Sequence, residues 1–141
     1  MKKRPNVTVK IMLRYKDKVL MVKHEDGSFG FPGGHVERNE SLIGALKREL
    51  NEELKYNLKK EPKLFEVWNY IPEENPGGKT KDHTVFLNYI LKLNKKPVLS
   101  SPENIGIFWF TRKDIISKGI IKDKSFLDKI FKPLKMINLS R

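Results

Sequence analysis

The stretch Gly33–Tyr56, GGHVERNESLIGALKRELNEELKY, constrains this chain more than any other. A glycine turn precedes a proline-free run in which Leu42, Ala45, Leu46 and Leu50 recur at spacings of three and four, with Ile43 and Leu54 widening the stripe. That pattern is a helix with one apolar face. Asn39 is the expected N-cap, and Glu40 then lies in the first turn, at the positive end of the helix dipole. At about 100° per residue, Glu49, Glu52 and Glu53 fall on one side, with Glu53 close to the angle of Leu46. Gly44, Lys47, Asn51 and Lys55 take the opposite face.

A solvated charged face would lie opposite the apolar stripe, whereas this acidic one borders it. Pairs such as Arg48–Glu52 stabilise a helix by only about 0.2–0.5 kcal/mol. Carboxylates crowded at a half-buried edge repel one another, and a divalent cation is the simplest positive partner. Hard oxygen donors favour Mg²⁺ or Mn²⁺, bound by a few carboxylates together with substrate phosphates.

These residues resemble the Nudix box, whose pattern is Gly, five residues, Glu, seven residues, then Arg-Glu-apolar-x-Glu-Glu-x-Gly-apolar. Gly34, Glu40, Arg48, Glu49, Leu50, Glu52, Glu53 and Tyr56 occupy those places over residues 34–56. Phe31-Pro32-Gly33-Gly34 and Glu37 also match family usage. Two positions depart: Lys55 stands where the pattern has Gly, and Asn39 where Gly is common. Lysine is a poor left-handed helix terminator, so the helix is expected to run on to Asn57, which tolerates that conformation. Asn39 can make the turn of a glycine.

The resemblance implies an α+β fold, a Nudix-type α/β/α sandwich with a mixed central sheet, as one domain over residues 1–141. It implies an Mg²⁺-dependent pyrophosphohydrolase (Mn²⁺ the alternative) that cleaves a nucleoside diphosphate-linked substrate and releases a nucleoside monophosphate. Glu49, Glu53 and Glu52, with the Gly33 carbonyl, would then hold the metal. Glu52 or Glu49 would be the general base, and Arg48 would orient the carboxylates. Gly34, Glu37 and Glu103 are expected near the substrate, with Phe29, Trp68 and Tyr70 beside its base or sugar and Trp109 a further aromatic candidate. The shortness of the chain favours a nucleoside triphosphate, including an oxidised one. ADP-ribose, diadenosine polyphosphates and the RNA 5′ end are the alternatives. A non-catalytic nucleotide- or RNA-binding module of the same family is the reading from a different class, disfavoured because every box carboxylate is present. A homodimer is compatible with the resemblance.

Lys plus Arg number 29 against 17 Asp plus Glu, a formal charge of +12. This attracts anions, but the excess is lysine spread along the chain, and nucleic-acid readers prefer arginine forks, so RNA is not favoured. The lack of cysteine excludes disulfides and thiolate zinc sites and fits a cytoplasmic location. Met1-Lys2-Lys3-Arg4 is not followed by an apolar signal core, and no run approaches the roughly 18 residues of a membrane span.

Elsewhere, alternation or apolar runs predict strands at 6–14, 18–24, 64–71, 83–93 and 105–110. Proline- and glycine-bearing loops cover 72–82 and 94–104. Thr111 is positioned to cap a short helix over 112–117. An apolar helical pattern covers 123–137, kinked or ended by Pro133.

Overall fold

The alternating segment at the start becomes β1 (Asn6–Tyr15), and the continuous apolar run becomes β2 (Lys18–Lys23). In the computed structural model of the chain, which describes residues 4–78, 81–102 and 106–132, the two are antiparallel and pair at their joined ends, Arg14↔Val19 and Tyr15↔Lys18. β3 (Phe29–Gly30) pairs with β2, and β4 (Gly33–His35) pairs with β1. β5 (Lys63–Tyr70) runs antiparallel to β6 (Thr84–Leu93). β6 in turn lies parallel to β1 along its whole length, and β7 (Gly106–Thr111) is antiparallel to β2. The sheet is therefore mixed.

Helices cover both faces. Val9, Ile11 and Leu13 of β1 point with Leu20, Val22, Tyr89 and Leu91 toward Ala45, Leu46, Leu50 and Leu54 of α1 (Leu42–Leu54). Met12, Val19, Met21 and Ile90 point the other way. They pack with Ile115 of α2 (Arg112–Ser117) and with Phe126, Leu127 and Ile130 of α3 (Lys124–Phe131). The unbroken apolar run of β2 thus serves two cores, which is why it does not alternate. Among the described residues no helix is long and apolar enough to cross a membrane.

The ends of α1 differ from the sequence expectation. Its N-cap is Ser41, whose Oγ accepts from the Gly44 N–H at 2.9 Å, and no acidic residue occupies the first turn. Asn39 does the turning instead, at φ 65°, which frees Glu40 for contacts outside the helix. At the other end Lys55 itself adopts the left-handed conformation, φ 54° and ψ 31°. Its N–H donates to the Asn51 carbonyl at 3.0 Å, and the Tyr56 N–H donates to that of Leu50 at 3.2 Å. The helix therefore does not run on to Asn57. Leu54 and Leu58 are both buried in the α1 core, and the chain has to reverse between them whatever Lys55 prefers.

The glycine segment is also more ordered than a turn, since Gly33 and Gly34 are strand residues of β4. Thr111 caps α2 in a reciprocal capping box with Asp114, as its position indicated. α3 ends at Phe131, and Lys132 is extended at ψ 140°, as suits a residue before proline. The expected continuation to 137, and the effect of Pro133, lie outside the described residues.

Because a left-handed lysine carries a steric penalty that glycine lacks, Lys55→Gly should stabilise the fold by about 1 kcal/mol. Urea unfolding should show a higher midpoint at unchanged slope.

Candidate active site

The site is built where α1 presses on β4. Register places Gly34 opposite Val9 and Gly33 opposite Lys10. Gly33 has φ 143°, and a Cβ there would lie 2.0 Å from the Val9 carbonyl oxygen. A Cβ on Gly34 would lie 2.4 Å from Cδ of Glu49. Only glycine at 33 lets β4 lie this close to β1, and a side chain at 34 would displace the Glu49 carboxylate. The Gly33 N–H donates to Glu53 Oε1 at 3.0 Å. Glu49 and Glu53, one helical turn apart, are thus both set against β4.

Arg48 gathers the remaining acids. Its Nε and Nη2 donate to the two oxygens of Glu40 at 2.8 and 3.0 Å, a bidentate pair. Nη1 donates to Glu49 Oε1 at 2.9 Å and reaches Glu52 Oε2 at 3.5 Å and Glu37 Oε1 at 3.7 Å. Nη2 also donates to the His35 carbonyl of β4 at 2.9 Å. The Glu37 N–H donates to Glu40 at 3.0 Å, which ties the loop before α1 into the same network. Hydrogen bonds from Arg48 first, and from the Glu37 N–H second, hold the Glu40 carboxyl at about 2, against an ordinary 4.5. The carboxylates, Glu40 foremost, push the Arg48 guanidinium further up. Glu49 is mostly covered, its side chain 17% exposed, whereas Glu52 is 55% exposed.

The structure therefore gathers Gly33, Gly34, Glu37, Arg48, Glu49, Glu52 and Glu53 in one place, and adds Glu40. The aromatic candidates are dispersed. Phe29 packs edge-on against Phe108 and Phe110 at 5.4 and 5.2 Å. Trp68 belongs to a second group with Phe86 and Phe126, the latter at 4.6 Å. Tyr70 sits at the end of β5 with its hydroxyl buried against Gly78. Trp109 meets Tyr15 and packs on the α1 core, an interior role. Glu103 lies outside the described residues.

Sequence reasoning missed Lys10. It is half-buried beside Gly33; burial depresses its pKa, while the charges of Glu53 and then Glu49 pull it upward. The signal was present in NVTVKIMLR: Met12, two residues on, marks the face that carries Lys10 as a buried one.

Among the described residues no three acidic or imidazole groups already converge on one point. The donor chemistry nevertheless fits a hard divalent cation. Glu49, Glu52 and Glu53 are i, i+3 and i+4 neighbours, about 5–6 Å apart at Cβ in a helix. Glu49 occupies the space that a Cβ on Gly34 would take, and Glu53 accepts from the neighbouring Gly33 N–H. The residues that would hold the ion are these glutamates and the Gly33 carbonyl.

Comparison with known proteins agrees with this geometry. A family profile, the NUDIX domain, matches residues 2–130. Among solved structures, a MutT NUDIX hydrolase from Burkholderia pseudomallei is 26% identical with TM-score 0.65, over 79% of this chain and 87% of its own. A MutT/nudix family protein from Enterococcus faecalis is 24% identical with TM-score 0.65, over 79% and 45% respectively. A bifunctional NMN adenylyltransferase/ADP ribose pyrophosphatase from Francisella tularensis, complexed with AMP and Mn ion, is 23% identical with TM-score 0.66, over 82% and 37%. The chain thus spans less than half the length of the last two. No curated protein sequence matches it significantly. The chain belongs to the Nudix family of hydrolases.

The Arg48–Glu40 pair makes a pH prediction. Because the folded Glu40 carboxyl lies near 2 instead of 4.5, it contributes stability above pH 4.5 that is lost as pH falls through about 2. Carboxyl ¹³C titration should follow Glu40 to that low midpoint, and Arg48→Met should return it toward 4.5. Glu40→Gln should flatten the acid limb of the stability profile.

Proposed function

We propose that the chain is a divalent-metal-dependent pyrophosphohydrolase acting on a nucleoside diphosphate-linked substrate, with Mg²⁺ as the ion and Mn²⁺ as its substitute. The observation that carries this reading is the anchoring of Glu49 and Glu53 at the Gly33-Gly34 strand, Glu49 in the space beside Gly34 that a side chain would contest and Glu53 on the Gly33 N–H. The Francisella neighbour, complexed with AMP and Mn ion, supports both a nucleotide substrate and a metal of this kind.

When bound, such a cation neutralises phosphate oxygens and acidifies coordinated water. Glu49, Glu53 and the Gly33 carbonyl would hold it, with Glu52 beside them. Glu52 is the most exposed of the three box glutamates and makes only a 3.5 Å contact with Arg48, so it is the general base, taking a proton from the attacking water. The water oxygen bonds to phosphorus as the bridging P–O bond breaks, and a nucleoside monophosphate departs. Arg48 keeps Glu49 and Glu52 oriented during the step. Gly34 and Glu37 rim the substrate, and Trp68, 39% exposed, offers its ring to the base. The substrate is a nucleoside triphosphate, oxidised forms included. ADP-ribose is the second choice because the Francisella protein is described as an ADP ribose pyrophosphatase.

The test is turnover with Mg²⁺ across nucleoside triphosphates, ADP-ribose and diadenosine polyphosphates. Glu53→Gln and Glu49→Gln should each lower kcat/KM by about 10²–10³-fold, the worth of several kcal/mol of charge stabilisation, and chelation should abolish the rate. Mass spectrometry in ¹⁸O water identifies the phosphorus attacked. Tight nucleotide binding without turnover in the wild type would overturn the enzyme reading, and full activity in Glu53→Gln would overturn the metal assignment.

A further inference from the structure

One row of polar groups crosses the middle of the α3 face of the sheet. Register aligns Gly33 of β4, Lys10 of β1, Asn88 of β6 and Glu66 of β5. The row toward the other end of β1 is Met12 and Ile90, and the row on the opposite side is Thr8, Phe86 and Trp68. Glu66 at the far end is paired to Lys129 of α3 at 3.1 Å. The two middle members are not satisfied. Asn88 is 1% exposed, and its Nδ2 is buried with no hydrogen-bond partner. Lys10 is half-buried, and among the described residues it makes no hydrogen bond or ion pair; Glu49 and Glu53 act on it only through space.

A buried donor without an acceptor destabilises a fold; Asn88 is such a donor, and the half-buried Lys10 stands beside it on the adjacent strand, about 4.8 Å away. An apolar pair would be the stable filling for that position. Neighbouring donors lacking acceptors, next to carboxylates suited to a cation, fit a ligand rich in acceptor oxygens that also carries negative charge. A lysine ammonium, a compact charge with three donors, suits a phosphate.

We propose that Lys10 and Asn88 bind the substrate phosphate adjacent to the nucleoside, the one that departs in the monophosphate product. This rests on the pyrophosphohydrolase reading above. The carboxylates of α1 would hold a cation on one side of Gly33, and the Lys10–Asn88 pair receives phosphate oxygens on the other, with Trp68 and Phe86 in the next row toward the nucleoside.

The probes are AMP and GMP, titrated calorimetrically into the metal-free protein with chelator present, beside steady-state kinetics and Mg²⁺ titration. Lys10→Met should weaken monophosphate binding at least tenfold and lower kcat/KM, while Mg²⁺ affinity holds or rises. Lys10→Arg, which keeps the charge, should retain most of the binding. Asn88→Leu should weaken binding threefold to tenfold and raise Tm. If Asn88→Leu does not fold, Lys10→Met with its arginine control decides. Binding in Lys10→Met equal to wild type, an effect confined to Mg²⁺ affinity, or a wild type that binds neither monophosphate without metal would overturn the proposal. A wild type that binds monophosphate through Lys10 but hydrolyses no substrate of the panel would instead overturn the hydrolase reading and leave the phosphate site standing.

Discussion

The site depends on how closely a helix can approach a strand. Gly33 lets β4 lie close on β1, where a side chain would strike the Val9 carbonyl, and Gly34 leaves the space that the Glu49 carboxylate of α1 fills, while Glu53 accepts from the Gly33 N–H. Apolar burial supplies the force for this approach. Leu46, Leu50 and Leu54 are fully buried against β1, β2 and β6, each worth about 1.5–3 kcal/mol. The same packing that makes α1 stable thus pushes its acidic edge onto the glycine strand. Weaken the apolar seam and the carboxylates lose their anchor; add a Cβ at Gly34 and the Glu49 carboxylate is displaced.

Arg48 is what makes the crowding of acids tolerable. An exposed ion pair contributes little, but this guanidinium is three-quarters covered and reaches four glutamates and a backbone carbonyl of β4. Its bidentate pair goes to Glu40, so one acid outside the helix takes two of its five N–H donors. Glu52 is left with the longest hydrogen bond and the greatest exposure of the α1 acids that Arg48 contacts. On the proposed reading that ordering divides the roles: Glu40 braces the loop, Glu49 and Glu53 are set in place, and Glu52 keeps the freedom that a proton acceptor needs.

Much of this was legible in the sequence because it rests on periodicity. The stripe Leu42–Leu54 located α1 and its acidic border, and the unbroken apolar run of β2 announced a sheet buried on both faces. What escaped was set by tertiary packing. Lys55 adopts a conformation its side chain disfavours because Leu54 and Leu58 must both reach the core. Ser41, two residues beyond the expected cap, starts the helix because Asn39 is occupied in making the left-handed turn. Gly33 and Gly34 look like a turn in isolation and become strand only because β1 offers them partners. The aromatics were legible as a group but not in position, since nothing in the sequence separates the Phe29 cluster from the Trp68 cluster.

The charge pattern around Gly33 is the feature that a fold-level likeness alone would not supply. On the α1 side stand acids that repel one another and are quieted by one arginine; on the α3 side, one and two strands away, stand a lysine and an amide with donors to spare. Isolated, each half is a local cost: carboxylates are crowded at a half-buried edge, and an ammonium is taken partly out of water without a partner. Those halves do not cancel by pairing, because Lys10 sits within Coulomb range of Glu49 and Glu53 but forms no ion pair with either. On the proposed reading the gap between them is where a metal-bound diphosphate belongs: its cation faces the acids and its oxygens face the donors, so both costs are met in one binding event. The surplus of lysine over the rest of the surface then acts only at long range, raising the rate at which such an anion arrives, while recognition is left to the few groups along the row from Glu53 to Asn88.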